Sequence, residues 1–111
     1  MKAIVSKSVG GPDSLVLEES PEPEPRPDEV RVRVHACGVN YPDTLIIEDK
    51  YQFKPDRPFS PGGEVAGEID AIGSEVDSLA VGDKVIALVG WGGMAEKGVT
   101  KATKCLPMPT D

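Results

Sequence analysis

Four prolines at alternate positions, Pro21, Pro23, Pro25 and Pro27, interrupt this chain early. Each ring fixes its own φ and pushes the preceding residue out of the helical region, so PEPEPRPDE (21–29) has to run extended. Pro55, Pro58 and Pro61 exclude regular structure from a second stretch, and Pro107 and Pro109 exclude a helix at the end. Only short segments remain. The clearest of them is EVRVRVHA (29–36), with Val30, Val32 and Val34 on one face and Arg31, Arg33 and His35 on the other. That alternation predicts a half-buried strand with His35 turned to solvent.

Other segments read the same way. KAIVSKS (2–8) and LVLEES (15–20) flank a Gly-Gly-Pro-Asp turn, and EVAGEIDAIG (64–73), DKVIALV (83–89) and MAEKGVT (94–100) come after the proline loop. SEVDSLAVGD (74–83) is a turn-rich connection, and GWGG (90–93) reads as a hairpin loop between the last two of these strands. The period changes once, after Gly38. In NYPDTLIIED (40–49), Asn40 is followed three residues later by Asp43, with Pro42 in the first turn, which is a capping-box-like start of a short helix. The prediction is a mainly β domain of six to eight short strands and one short helix, curled into a sheet or barrel. The loop from Tyr51 to Pro61 is a candidate functional loop.

Composition excludes several roles. A chain of 111 residues sits in the range of one domain, 1–111, and its net charge of −7 argues against a nucleic-acid partner. Apolar runs of four or five residues predict no membrane span, and the N-terminus lacks a signal-peptide core, so the expected location is cytoplasmic. Cys37 and Cys105 belong to no Cys-x-x-Cys pair and read as reduced thiols. Asp43, Glu64 and Glu68 do not match a single-loop calcium pattern and read as caps or ion-pair partners, so no metal site is expected. GWGGMA (90–95) formally matches a dinucleotide fingerprint, with Asp111 about twenty residues further on. The segment behind it carries Gly98, Val99 and Thr100 and cannot supply the helix that such a turn needs.

Four stretches, HACGVNYPD (35–43), PFSPGGEVAGEIDAIG (58–73), VGDKVIALV (81–89) and GGMAEKGV (92–99), come in the order and spacing of a known family. The chain resembles the N-terminal, GroES-like domain of the medium-chain dehydrogenase/reductase superfamily over nearly its whole length. It is most similar to the zinc-free quinone oxidoreductase branch that includes zeta-crystallin. The resemblance implies a partly open β-barrel. It also implies that zinc is absent twice over: Asn40 stands where zinc-dependent relatives carry a ligand cysteine, and Gly63 where they carry a histidine beside the acid, here Glu64.

By the same resemblance the domain is the substrate-binding, catalytic half of an enzyme whose Rossmann domain holds NADPH, a domain absent from this chain. The expected reaction adds hydride to a quinone or an α,β-unsaturated carbonyl. Negative charge then grows on oxygen and must meet preorganised donors. The family pattern puts catalytic residues at Asn40 and Tyr51, with Asn40 also near the cofactor and Asp43 orienting a neighbour. Leu45 departs from relatives that carry a second tyrosine there, so the polar cleft is expected to be sparser. The isolated chain is expected to be inactive. The alternative is a free-standing binding or assembly module resembling a co-chaperonin, whose docking segment would be the apolar tripeptide in TLIIED (44–49).

Overall fold

The structure, a computed structural model, describes residues 1–109; Asp111 lies outside the described residues. The chain runs through β1 (Lys2–Ser6), β2 (Leu15–Glu19), β3 (Glu29–Gly38), α1 (Tyr41–Ile46), β4 (Glu64–Ile72), β5 (Lys84–Leu88), β6 (Lys97–Lys101) and β7 (Cys105–Pro107). β1 and β2 form a two-stranded sheet, and the other five form an antiparallel sheet in the order β6-β3-β4-β5-β7. The larger sheet curls without closing: the Thr100 hydroxyl on β6 donates to the Leu88 carbonyl on β5, although β3 and β4 lie between these strands. The expected mainly β, partly open barrel with one short helix is what the chain forms.

The alternation in β3 places its valines in the core as expected. Val30 and Val32 are fully buried and pack with Val65, Ile69, Val85 and Ala87 from β4 and β5. Full burial of a side chain of this size stabilises the fold by ~1.5–3 kcal/mol. Two bulges then break the register. Val34 pairs with Gly67 and Ala36 with Ala66, so His35 has no partner, remains exposed, and shifts the parity of the last residues of the strand. Cys37, not Ala36, therefore turns inward, where it packs against the core. On β4 the extra residue is Asp70, between Ile69 opposite Val32 and Ala71 opposite Arg31. Asp70 accepts from Arg31 Nε at 2.8 Å and lies 3.0 Å from Lys97 Nζ. The same two cations hold the proline segment to the sheet, through Arg31 Nη1 to the Pro23 carbonyl and Lys97 to Glu22.

One expectation is overturned. GWGG (90–93) does not close a β5–β6 hairpin: β5 pairs with β4 and β7, and β6 pairs with β3. Residues 89–96 cross the mouth of the curled sheet, and their amides bond the SPGG loop instead. Val89 donates to Gly63 (2.9 Å), Gly92 to Ser60 (2.6 Å), Gly93 to Gly62 (3.0 Å) and Met94 to Pro61 (2.9 Å). The reason lies in which edges are open. β7, a short strand not foreseen because it contains Pro107, takes the outer edge of β5, while β3 offers a free edge to Lys97–Lys101. The residues expected to begin the strand, 94–96, bond β1, as in Ile4 N–H to the Met94 carbonyl at 2.8 Å.

Candidate active-site cleft

α1 is only six residues long, and its start is built as its sequence suggests. Asn40 is the extended N-cap, Pro42 lies in the first turn, and the Asp43 carboxylate accepts from the Asn40 backbone N–H at 2.9 Å. Asn40 itself is exposed. Asp43 is 6% exposed, so it acts as a buried fastener that presents Asn40 rather than as a free acid. Behind it Ile46 and Ile47 are buried against Phe59, with Leu15 and Tyr51 packed on the same cluster. TLIIED therefore spends its isoleucines on the core and offers no free apolar docking loop.

Asn40, Asp43 and Tyr51, the three residues expected at the site, line one open cleft of about 310 Å³. Pro42, Ile46, Phe53, Gly63, Glu64, Leu88 and Gly90 complete its walls. Glu68 and His35 do not belong to it; they lie together on the outer face of β3 and β4, beside Lys84. The cleft carries two carboxylates, Asp43 and Glu64, and no lysine or arginine. Among the described residues, no three His, Cys, Asp or Glu side chains converge as a group able to hold a metal.

The PGG turn has a structural account. Gly62 has φ of 102°, and a Cβ there would stand 2.6 Å from Cys37 Sγ. A Cβ on Gly93 would meet the same sulfur at 2.9 Å. The Cys37 thiol thus fills the space beneath two laced glycine loops. Burial pushes its pKa up, and the carboxylates of Asp43 and Glu64 push it further, which keeps it protonated and unreactive. Burial also raises the Cys105 thiol.

Sequence reasoning missed Phe53, which lines the cleft, and Trp91, which packs on it from the wall of a neighbouring cavity. Tyr51 and Phe53 meet edge to face with ring centroids 5.1 Å apart, and Phe53 leans on Trp91 at 5.3 Å. The local signal was the exposed aromatic in each glycine- or proline-rich loop; their meeting depends on the crossover of residues 89–96. The Tyr51–Phe53 loop is pinned at its far end by Arg57, whose guanidinium donates to Asp49 Oδ1 (2.8 Å), the Ile47 carbonyl (2.8 Å) and Ser6 Oγ (3.2 Å).

A curled, partly open antiparallel sheet with a short helix and a proline loop at its mouth defines a GroES-like domain. Residues 26–110 match the alcohol dehydrogenase GroES-like domain, and the chain belongs to that family. It is 41% identical to the quinone oxidoreductase-like protein 2 homolog of Nematostella vectensis over 98% of this chain and 30% of that protein. It superposes on the human synaptic vesicle membrane protein VAT-1 homolog-like protein with a TM-score of 0.94, at 33% identity, over 100% of this chain and 35% of that one. Escherichia coli quinone oxidoreductase complexed with NADPH gives a TM-score of 0.91 at 29% identity, over 98% of this chain and 33% of that one. The chain thus spans about a third of the length of these proteins. GWGGMA leads into β6 and not into a helix, so it is no phosphate-binding turn.

Proposed function

We propose that this chain is the substrate-binding, catalytic domain of a zinc-independent, NADPH-dependent oxidoreductase that reduces quinones or α,β-unsaturated carbonyls. The observation that carries the reading is the convergence of Asn40, Tyr51 and Asp43 on one cleft in a family whose relatives include quinone oxidoreductases. The residues fit one end of the cofactor only. Asn40 can bond the nicotinamide carboxamide, but no glycine turn followed by a helix is present among the described residues to hold the pyrophosphate. A separate Rossmann domain of the same enzyme supplies that cradle, and the 111-residue chain alone does not turn over.

When bound, NADPH supplies the hydride, two electrons and a hydrogen nucleus, to the acceptor carbon. The acceptor oxygen then gains negative charge. The Asn40 NH₂ donates to that oxygen, and the Tyr51 hydroxyl donates a second bond or passes its proton and is reprotonated from water. Asp43 fixes the backbone from which Asn40 projects. Leu88, Ile46 and Phe53 give the cleft its apolar walls.

The test joins this chain to the dinucleotide-binding domain of a quinone oxidoreductase and monitors NADPH oxidation with a quinone acceptor. The chimera turns over and the isolated chain does not. Asn40→Ala and Tyr51→Phe each lower kcat by about 10² or more. Substantial turnover by the isolated chain, or an active chimera indifferent to both substitutions, overturns the reading.

A further inference from the structure

We propose that the cavity between the proline segment and the 89–96 crossover is a binding site for a small methylated ammonium ion, held against the Trp91 indole and by the Asp56 carboxylate. The site lies beside the cleft of Asn40 and Tyr51, not in it, and does not depend on the reductase reading.

The cavity measures about 420 Å³, within the range of small-molecule sites. Three stretches of the chain wall it: the proline segment through Pro21 and Pro23, the 51–61 loop through Pro58 and Ser60, and the crossover through Trp91 and Gly92. Trp91 is 44% exposed. It leans on Phe53, which belongs to the neighbouring cleft, and its remaining surface borders this cavity. The walls are held together before any ligand arrives. Gly90 and Gly92 on either side of Trp91 have positive φ, and the Gly92 N–H donates to the Ser60 carbonyl at 2.6 Å. The prolines bring no N–H donors, so much of the lining offers apolar contact and not hydrogen bonds.

Charge decides the sign of the ligand. Two cations border the cavity, and both are already paired. The Met1 ammonium lies 3.3 Å from Glu19, and Lys97 Nζ lies 3.0 Å from Asp70 and 3.2 Å from Glu22. Lys97 and Arg31 together face three carboxylates, Glu22, Glu24 and Asp70, so this cluster is net negative. Asp56 adds to it. It is exposed, its neighbour Arg57 pairs with Asp49, and among the described residues no cation pairs with Asp56. Such a field attracts a cation and repels an anion. Indole is the best aromatic partner for a cation, and an ammonium clothed in methyl groups suits proline walls that offer few hydrogen bonds.

Trp91 is the single tryptophan, so its fluorescence reports on the cavity directly. The probe is choline chloride, titrated into the 111-residue chain at constant ionic strength. Trp91 emission shifts and saturates. The uncharged carbon isostere 3,3-dimethyl-1-butanol binds about tenfold more weakly, and the 3,3-dimethylbutanoate anion does not bind. Saturation transfer to the choline methyl protons follows variants that lack the indole. Trp91→Leu binds about tenfold more weakly, Trp91→Phe falls between it and the parent, and Asp56→Asn, on an exposed side chain, weakens binding about threefold. Asn40→Ala leaves the titration unchanged. An isostere that binds as well as choline overturns the proposal, because the cavity is then merely apolar. Binding of the butanoate overturns it in favour of an anion on Lys97. An emission change that stays linear in choline also overturns it, as does parent-like binding by Trp91→Leu or Asp56→Asn. Loss of binding in Asn40→Ala would put choline in the cleft and sink the separate site.

Discussion

Thr100 Oγ1 donates to the Leu88 carbonyl oxygen at 2.7 Å, joining β6 to β5 across the open side of the curled sheet. Thr100 is 6% exposed, and no backbone ladder connects these two strands. Thr100→Val keeps the shape and strands the Leu88 carbonyl, so it costs about 1–3 kcal/mol. The urea midpoint falls with an unchanged m-value, and Thr100→Ser recovers most of the loss. A Thr100→Val chain as stable as the parent would show that the curl is held by the core alone.

Arg57 is the fastener of the loop that carries Tyr51 and Phe53. Its three hydrogen bonds tie that loop to the end of α1 and to β1, and its guanidinium stacks 5.4 Å from the Phe59 ring centroid. Arg57→Ala destabilises the chain by about 2–3 kcal/mol, because charge-assisted bonds are lost together. Arg57→Lys keeps the charge but not the planar fork and recovers less than about half. As Phe53 loosens, Trp91 emission shifts to the red and limited proteolysis cuts first within residues 50–58. Equal stability of the lysine variant and the parent would reduce Arg57 to a point charge.

How much of this could be read from the residues alone divides by range. β3 was legible because its alternation of valine with arginine is local, and the start of α1 because Asn40, Pro42 and Asp43 act within one turn. The bulge at His35 left no mark in the pattern, so the inward turn of Cys37 could not be foreseen. The partners of β5 and β6 depend on which sheet edges stay free, a property of the assembled sheet that GWGG cannot carry. The same holds for the site. Asn40, Asp43 and Tyr51 were named from motif resemblance, and the fold brings them to one cleft. Phe53 and Trp91 are nearly forty residues apart in sequence and meet only through the crossover.

Acid should weaken the protein through Asp70, the bulged residue of β4. Burial pushes its carboxyl up, but hydrogen bonds from Arg31 and Lys97 outweigh that and hold it below the ordinary carboxylate range. A depressed folded-state pKa means that the unfolded chain binds the proton first. The contribution is therefore full above the unfolded value of about 3.9 and is lost as pH falls through the lower, folded value. Lys97 works in the opposite sense: its pKa is raised by hydrogen bonds to Asp70 and Glu22, so its share disappears only in strong alkali, above about 10.4. Asp70→Asn removes the acid response of this site. At pH 7 the variant is less stable than the parent, and below about pH 4 the two stability curves converge. Denaturation midpoints measured from pH 7 down to pH 2 decide the matter, and parallel curves for the two chains would place the acid sensitivity elsewhere. Loss of the pair also frees Arg31 and Lys97, the two cations that hold Glu22 and Pro23, so protease access to the proline segment should rise over the same pH interval.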